Sequence, residues 1–173
     1  MEIKRTSQGF TLLELLVVVL IIGVLAGIAL PQYKYAVAKA KFTQLLTVSK
    51  AIKEAQHRYI LAHSERSLDL SALDIDIEGG TYGPGAYSAA NMKDKITFDW
   101  GNCMIIYDVT RSGMACSIKK PYVMYLSYFN SEKKQCCSAR EMGKKLCQAE
   151  FPNSNGISDD STCGTGGIVY RNY

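Results

Sequence analysis

The chain has 173 residues, 47% hydrophobic and 21% charged, with 20 Lys and Arg against 16 Asp and Glu for a formal net charge of +4. Ordinary apolar content without excess Gly or Pro excludes a collagen-like or disordered polypeptide, and so small a positive charge is no nucleic-acid footprint. The length fits one domain with an appendage.

Residues 10–30 carry one charge, Glu14, and one other clearly polar side chain, Thr11. At about 1.5 Å per residue this run spans roughly 32 Å, enough to cross a bilayer core. The nine residues before it, MEIKRTSQG, resemble a short basic targeting segment, and all six cysteines lie beyond residue 100. A membrane-inserting N-terminus followed by a Cys-containing half implies export to an oxidising compartment. A signal peptide cut near Gly27-Ile28-Ala29 and a plain single-pass anchor both fit the apolar run. Neither explains Glu14, because a carboxylate that deep costs about 2–3 kcal/mol or more without a partner.

Residues 9–33, GFTLLELLVVVLIIGVLAGIALPQY, join Gly, Phe, Thr, two Leu and Glu to an unbroken apolar run and a later Pro. This string resembles the type IV pilin and pseudopilin signature. The resemblance implies an α+β, pilin-like fold: a long N-terminal helix against a roughly four-stranded antiparallel sheet, with a disulfide-stabilised C-terminal region. It implies that a membrane prepilin peptidase cuts between Gly9 and Phe10 and that the new Phe10 amine is methylated. It also implies that Glu14 meets the Phe10 ammonium during filament assembly, which agrees with the mutual relief of desolvation that a buried acid and amine gain only by pairing.

The implied partners are further copies in a helical filament, other pilins, the peptidase, the inner-membrane assembly machinery and, before assembly, the membrane itself. No cofactor is implied. The implied location is the inner membrane, as a single-pass protein, and then an extracellular pilus or a periplasmic pseudopilus. A positive-inside count runs against this topology, since Lys4 and Arg5 precede the span while Lys34, Lys39, Lys41, Lys50 and Lys53 follow it.

The helix is expected to continue past the membrane. Residues 32–62 hold no Gly or Pro, and apolar side chains recur at Val37, Leu45, Val48, Ile52, Ala55 and Tyr59. One helix over 10–62 is about 80 Å long, with Pro31 as its bend because the ring removes an amide donor. Gly23 and Gly27 form a small-xxx-small pair. Residues 34–66 carry a net charge of +5, from seven basic side chains against Glu54 and Glu65. A solvated face, or one pairing with a neighbour's acids, is favoured over DNA, which remains a lesser partner reading. His57 and His63, six apart, fall on different faces and read as surface residues.

Residues 67–91 read as a connecting loop with minor structure, whose Asp69, Asp74, Asp76 and Glu78 complement a neighbouring subunit's basic helix. They lack the ligand spacing of a calcium loop. Strands are expected at 95–100, 103–109, 114–119 and 122–129, forming an antiparallel meander covered by the long helix. A short helix at 138–148 and a last strand at 167–172 follow. The implied boundaries are a leader at 1–9, a membrane and filament-core helix at 10–30, its amphipathic continuation at 31–63, a loop at 64–94 and the sheet head at 95–173.

The cysteines lack metal-site spacing, so disulfides are expected and a metal is not. Cys103 and Cys116 lie on consecutive expected strands and should pair. Cys147 joined to Cys163 would close a C-terminal loop resembling the disulfide-bounded region of many pilins. Cys136 and Cys137 are left to form a vicinal bond or to pair elsewhere. No catalytic motif occurs, and the resemblance implies a structural prepilin, polymerised for adhesion, motility or DNA uptake. The alternatives are a type II secretion pseudopilin and a membrane-anchored binding protein or enzyme.

Overall fold

The computed structural model describes residues 9–85, 93–107, 112–159, 163 and 166–172. They fall into two compact units, Met1–Val37 and Ala38–Tyr173. Helix α1, Leu12–His63, is continuous through Pro31 and belongs to the first unit up to Val37 and to the second from Ala38.

In the second unit α1 buries Ala38, Phe42, Leu45, Ser49, Ile52, Ala55 and Gln56. The stripe expected to include Val48 and Tyr59 therefore lies slightly around the helix, and those two side chains are half-buried. Phe42 sets the facing: its ring meets Tyr125 edge-on at 6.4 Å, and a large aromatic contributes more buried area than the valine it displaces. The helix ends at Ser64, whose φ of 60° is left-handed although its N–H still donates to the Ile60 carbonyl at 2.8 Å.

The connecting segment is more ordered than expected. It contains a 3₁₀ turn, Leu70–Ala72, capped by Asp69, and a strand β1, Thr81–Gly83. Positions 86–91 of the expected loop lie outside the described residues. The sheet continues through β2 Lys95–Thr97, β3 Gly101–Tyr107, β4 Ser112–Ile118, β5 Val123–Tyr128 and β6 Lys134–Ser138. Helix α2, Glu141–Glu150, and strands β7 Ile157–Ser158 and β8 Ile168–Arg171 complete the described elements. All pairings are antiparallel, in the order β1-β2-β3-β4-β5-β6-β8-β7. Eight strands stand where five were expected, four in the meander and one at the C-terminus, because β1 and β7 are too short to show alternation and β6, KQCCS, is too polar at its start. Positions 108 and 109 of the expected second strand lie outside the described residues.

Register explains the two faces. Tyr82, Ile96, Cys103, Cys116, Tyr125, Cys136 and Tyr170 are successive cross-strand partners and so share one face, to which Phe42 of α1 and Phe151 beyond α2 bring their rings. The opposite face carries Thr81, Thr97, Asn102, Ser117, Met124, Cys137 and Val169 in the same way. Neighbouring strand residues point to opposite faces, and this decides the disulfides.

Cys103 pairs with Cys116, directly opposite it, as expected. Cys147 pairs with Cys136, not with Cys163, and Cys137 takes Cys163. Adjacent Cys136 and Cys137 thus face apart on β6: one staples α2 to the helix-bearing face, and the other joins a cluster with Val169 and Met124 on the reverse. Close packing of α2 is built into Gly143, where an added Cβ would lie 2.1 Å from Ser138 Oγ and 2.8 Å from Val123 Cγ2.

Candidate functional site

The first unit exposes its apolar side chains. Between Phe10 and Leu30 the large hydrophobics are 44–88% exposed, with Phe10 at 77%. A surface of this extent on a lone chain requires cover, by lipid or by other protein. At Gly23 and Gly27 an added Cβ would meet nothing within 4 Å, so packing within the chain does not demand glycine at either position.

Thr11 and Glu14 open the helix as a reciprocal cap. The Thr11 backbone N–H and hydroxyl both donate to Glu14 Oε2, at 2.9 and 2.8 Å, and the Glu14 N–H donates to Thr11 Oγ1 at 3.3 Å. This is capping-box chemistry, which satisfies helix N–H groups that have no earlier carbonyl. The Thr-x-x-Glu spacing ahead of an apolar run carries that signal in the sequence. Phe10 lies one residue before the box. At Pro31 the missing N–H leaves the carbonyl four residues earlier, that of Gly27, without its helical donor.

In the second unit, the basic stretch of α1 is tied to its own head. Lys53 Nζ donates to the Ser131 carbonyl at 2.9 Å and to Glu132 Oε1 at 3.3 Å. Arg58 makes a two-pronged contact with Asp74, at 2.7 and 2.8 Å. That hydrogen bonding holds the Asp74 carboxyl below its ordinary value and raises Arg58. The expectation that the loop acids serve a neighbour is thereby corrected for Asp74, which has an intrachain partner 16 residues away in sequence, and for Asp69, whose carboxylate accepts from Ser71 N at 2.8 Å. The Ser71 hydroxyl, its nearest donor, lowers the Asp69 pKa.

A cleft of about 1160 Å³ lies between α1 and the β5–β6 connection, with Lys53, His57, Tyr125, Glu132 and Glu150 among its lining. Burial, with the Glu150 charge second, pushes the Tyr125 phenol up. His57 is exposed, while His63 stacks on Tyr59 at 4.1 Å. Among the described residues there is no group of three or more His, Cys, Asp or Glu that could hold a metal ion. The cysteines are joined in three disulfides.

The model of the prokaryotic N-terminal methylation motif matches residues 4–30. The chain is 33% identical over 116 residues to a fimbrial protein of Moraxella nonliquefaciens, covering 64% of this chain and 71% of that one. It is 33% identical over 84 residues to the type IV major fimbrial protein FimA of Dichelobacter nodosus, covering 45% and 54%. It is 38% identical over 59 residues to the type IV major pilin protein PilE1 of Neisseria gonorrhoeae, covering 34% and 36%. No solved structure matches.

Proposed function

Because the chain belongs to the type IV pilin family, as a structural subunit of a type IV pilus, we propose that it is cut between Gly9 and Phe10 and methylated at the new amine. The subunit then waits in the inner membrane as a single-pass protein, and polymerises through its N-terminal helix into an extracellular filament. The peptidase and the inner-membrane assembly machinery act on it in that order.

One observation carries this reading: an apolar surface, largely exposed in its own chain, begins at Phe10, continues along helix α1 from Leu12 and holds a single acid at Glu14. Lipid and neighbouring helices are both adequate cover for such a surface. In lipid Glu14 is an uncompensated charge, whereas in a filament core it meets the Phe10 ammonium of a neighbour, and each group lowers the other's desolvation cost. Glu14 Oε1 has no hydrogen-bond partner among the described residues, so the carboxylate can accept from an ammonium while Oε2 keeps the cap. Pro31 supplies a bend. Gly23 and Gly27, unneeded by intrachain packing, allow close helix approach.

The test is mass spectrometry of the N-terminus in sheared surface material. The expected species starts at Phe10 and carries one added methyl group on its amine. A start near Leu30, or an intact Met1 in assembled filaments, would overturn the proposal.

A further inference from the structure

Seven basic residues lie between positions 34 and 66, and the structure divides them. Lys50, Lys53 and Arg58 each reach a carboxylate of their own chain: Glu54 at 3.8 Å, Glu132 at 3.3 Å and Asp74 at 2.7 Å. Arg66 donates to Asn130. Lys34, Lys39 and Lys41 form no ion pair among the described residues. No acidic residue occurs anywhere between Glu14 and Glu54. The three unmatched lysines are also the three nearest the apolar run, and two tyrosines stand among them, Tyr33 being 67% exposed and Tyr35 half-buried.

We propose that Lys34, Lys39 and Lys41, with Tyr33 and Tyr35, form an interfacial girdle that binds anionic phospholipid headgroups on the outer leaflet while the subunit waits in the membrane. The assignment rests on the membrane-anchored reading given above. Counting about 1.5 Å per residue from Leu30, Lys34 stands about 6 Å beyond the apolar run, Lys39 about 13 Å and Lys41 about 16 Å. The headgroup layer is about 5–7 Å thick, and charges act over a Debye length of about 8 Å beyond it.

Helical side chains lean toward the helix N-terminus. For a helix leaving the membrane that direction is back toward the lipid, and lysine stems extend the reach by lying along apolar surface. Tyrosine prefers the same layer, with its ring at the acyl boundary and its hydroxyl in water. The girdle gives a role to a charge distribution that otherwise works against the orientation rule, because the excess of lysine on the exported side finds phosphate there.

A lysine that reaches an anionic surface is worth about fivefold in preference, so a several-fold selectivity is expected. The full chain would be reconstituted in phosphatidylcholine vesicles containing either spin-labelled phosphatidylglycerol or spin-labelled phosphatidylcholine. The protein-restricted fraction of each label is then read by electron paramagnetic resonance. The expected result is several-fold enrichment of phosphatidylglycerol for the native chain, near-equal fractions for Lys34→Gln/Lys39→Gln/Lys41→Gln, and retained enrichment for the corresponding triple Arg variant.

Equal restriction of both labels by the native chain would overturn the proposal. So would enrichment that survives the triple Gln variant, or a triple Gln variant that loses only filament yield, which would assign the lysines to a neighbouring subunit. Absence of any restricted lipid, of either kind, would instead overturn the membrane-anchored reading on which the proposal rests.

Discussion

Replacing Cys136 and Cys147 together by Ala removes the bridge that staples α2 to the sheet, and does so without leaving a free thiol. In the chain-entropy treatment, closing the 11-residue separation contributes about 3 kcal/mol and closing the 26-residue separation of Cys137 and Cys163 about 3.5 kcal/mol. Each double variant should therefore lose about that much in urea unfolding. The reporter is Trp100, the chain's one tryptophan, which stacks on Phe98 at 4.6 Å. Connectivity is read beforehand by trypsin under nonreducing conditions. Cleavage after Lys134, Arg140, Lys145 and Arg171 places Cys136 and Cys137 in one peptide, 135–140, and Cys147 and Cys163 in another, 146–171. The observed bridges hold these two peptides together by two bonds, whereas a vicinal bond plus Cys147–Cys163 would release them separately. After Cys136→Ala/Cys147→Ala, a further cut behind Glu150 should leave 135–140 attached to 151–171 alone. Separate peptides from the native chain, or a stability loss under about 1 kcal/mol in both double variants, would refute the reasoning.

Glu14→Gln keeps an oxygen acceptor for Thr11 but no charge, so the subunit should still accumulate in membranes while sheared filament yield collapses; native yield would remove the ion-pair role. Asp74 has a folded pKa below its ordinary 3.8, so its contribution is present above that value and lost as pH falls through the lower folded one. Asp74→Asn should flatten this acid limb when urea midpoints are compared at neutral pH and below the carboxylate range, by a small amount because the pair is half-exposed. Gly143→Ala should lower the unfolding midpoint, since overpacking at Ser138 Oγ costs about 1–3 kcal/mol and outweighs the gain of up to about 1 kcal/mol in helix propensity.

The N-terminal site is legible in the sequence because it depends on composition and contiguity: residues 10–30 announce exposure to something apolar, and Glu14 is conspicuous by being alone. The Thr11–Glu14 cap is equally local, a four-residue pattern. The head is different, because its decisive facts are long-range. Asp74 looks like a surface acid in a loop until the fold brings it to Arg58, and nothing in the spacing of positions 58 and 74 announces this. Adjacent Cys136 and Cys137 leave their partners open until β6 is known to be a strand. Once it is, the two-residue period sends them to opposite faces, so the error lay in one unrecognised strand of five residues. Short strands such as β1 and β7 owe their existence to a pre-formed neighbour, and propensity cannot see neighbours.

The two units are stabilised on different terms, and that difference fixes which residues govern assembly. The head closes on itself: both faces of its sheet carry a disulfide at β6, and α1 contributes fully buried Leu45 and Ile52. The first unit does not, since thirteen large apolar side chains from Phe10 to Leu30 are more than half exposed. Covering the remaining half of each is worth about 1 kcal/mol, on the order of 10 kcal/mol altogether. Lipid tails and neighbouring helices supply nearly the same cover, so this large term almost cancels when a subunit passes from bilayer to filament. What does not cancel is polar. Glu14 is unpaired in lipid and pairs with the Phe10 ammonium in the proposed filament, which favours assembly. Lys34, Lys39 and Lys41 lose headgroup phosphates on leaving the membrane, which opposes it. On this reasoning the direction of transfer is set by four charged side chains and one new amine, and the long apolar surface provides the grip without providing the choice.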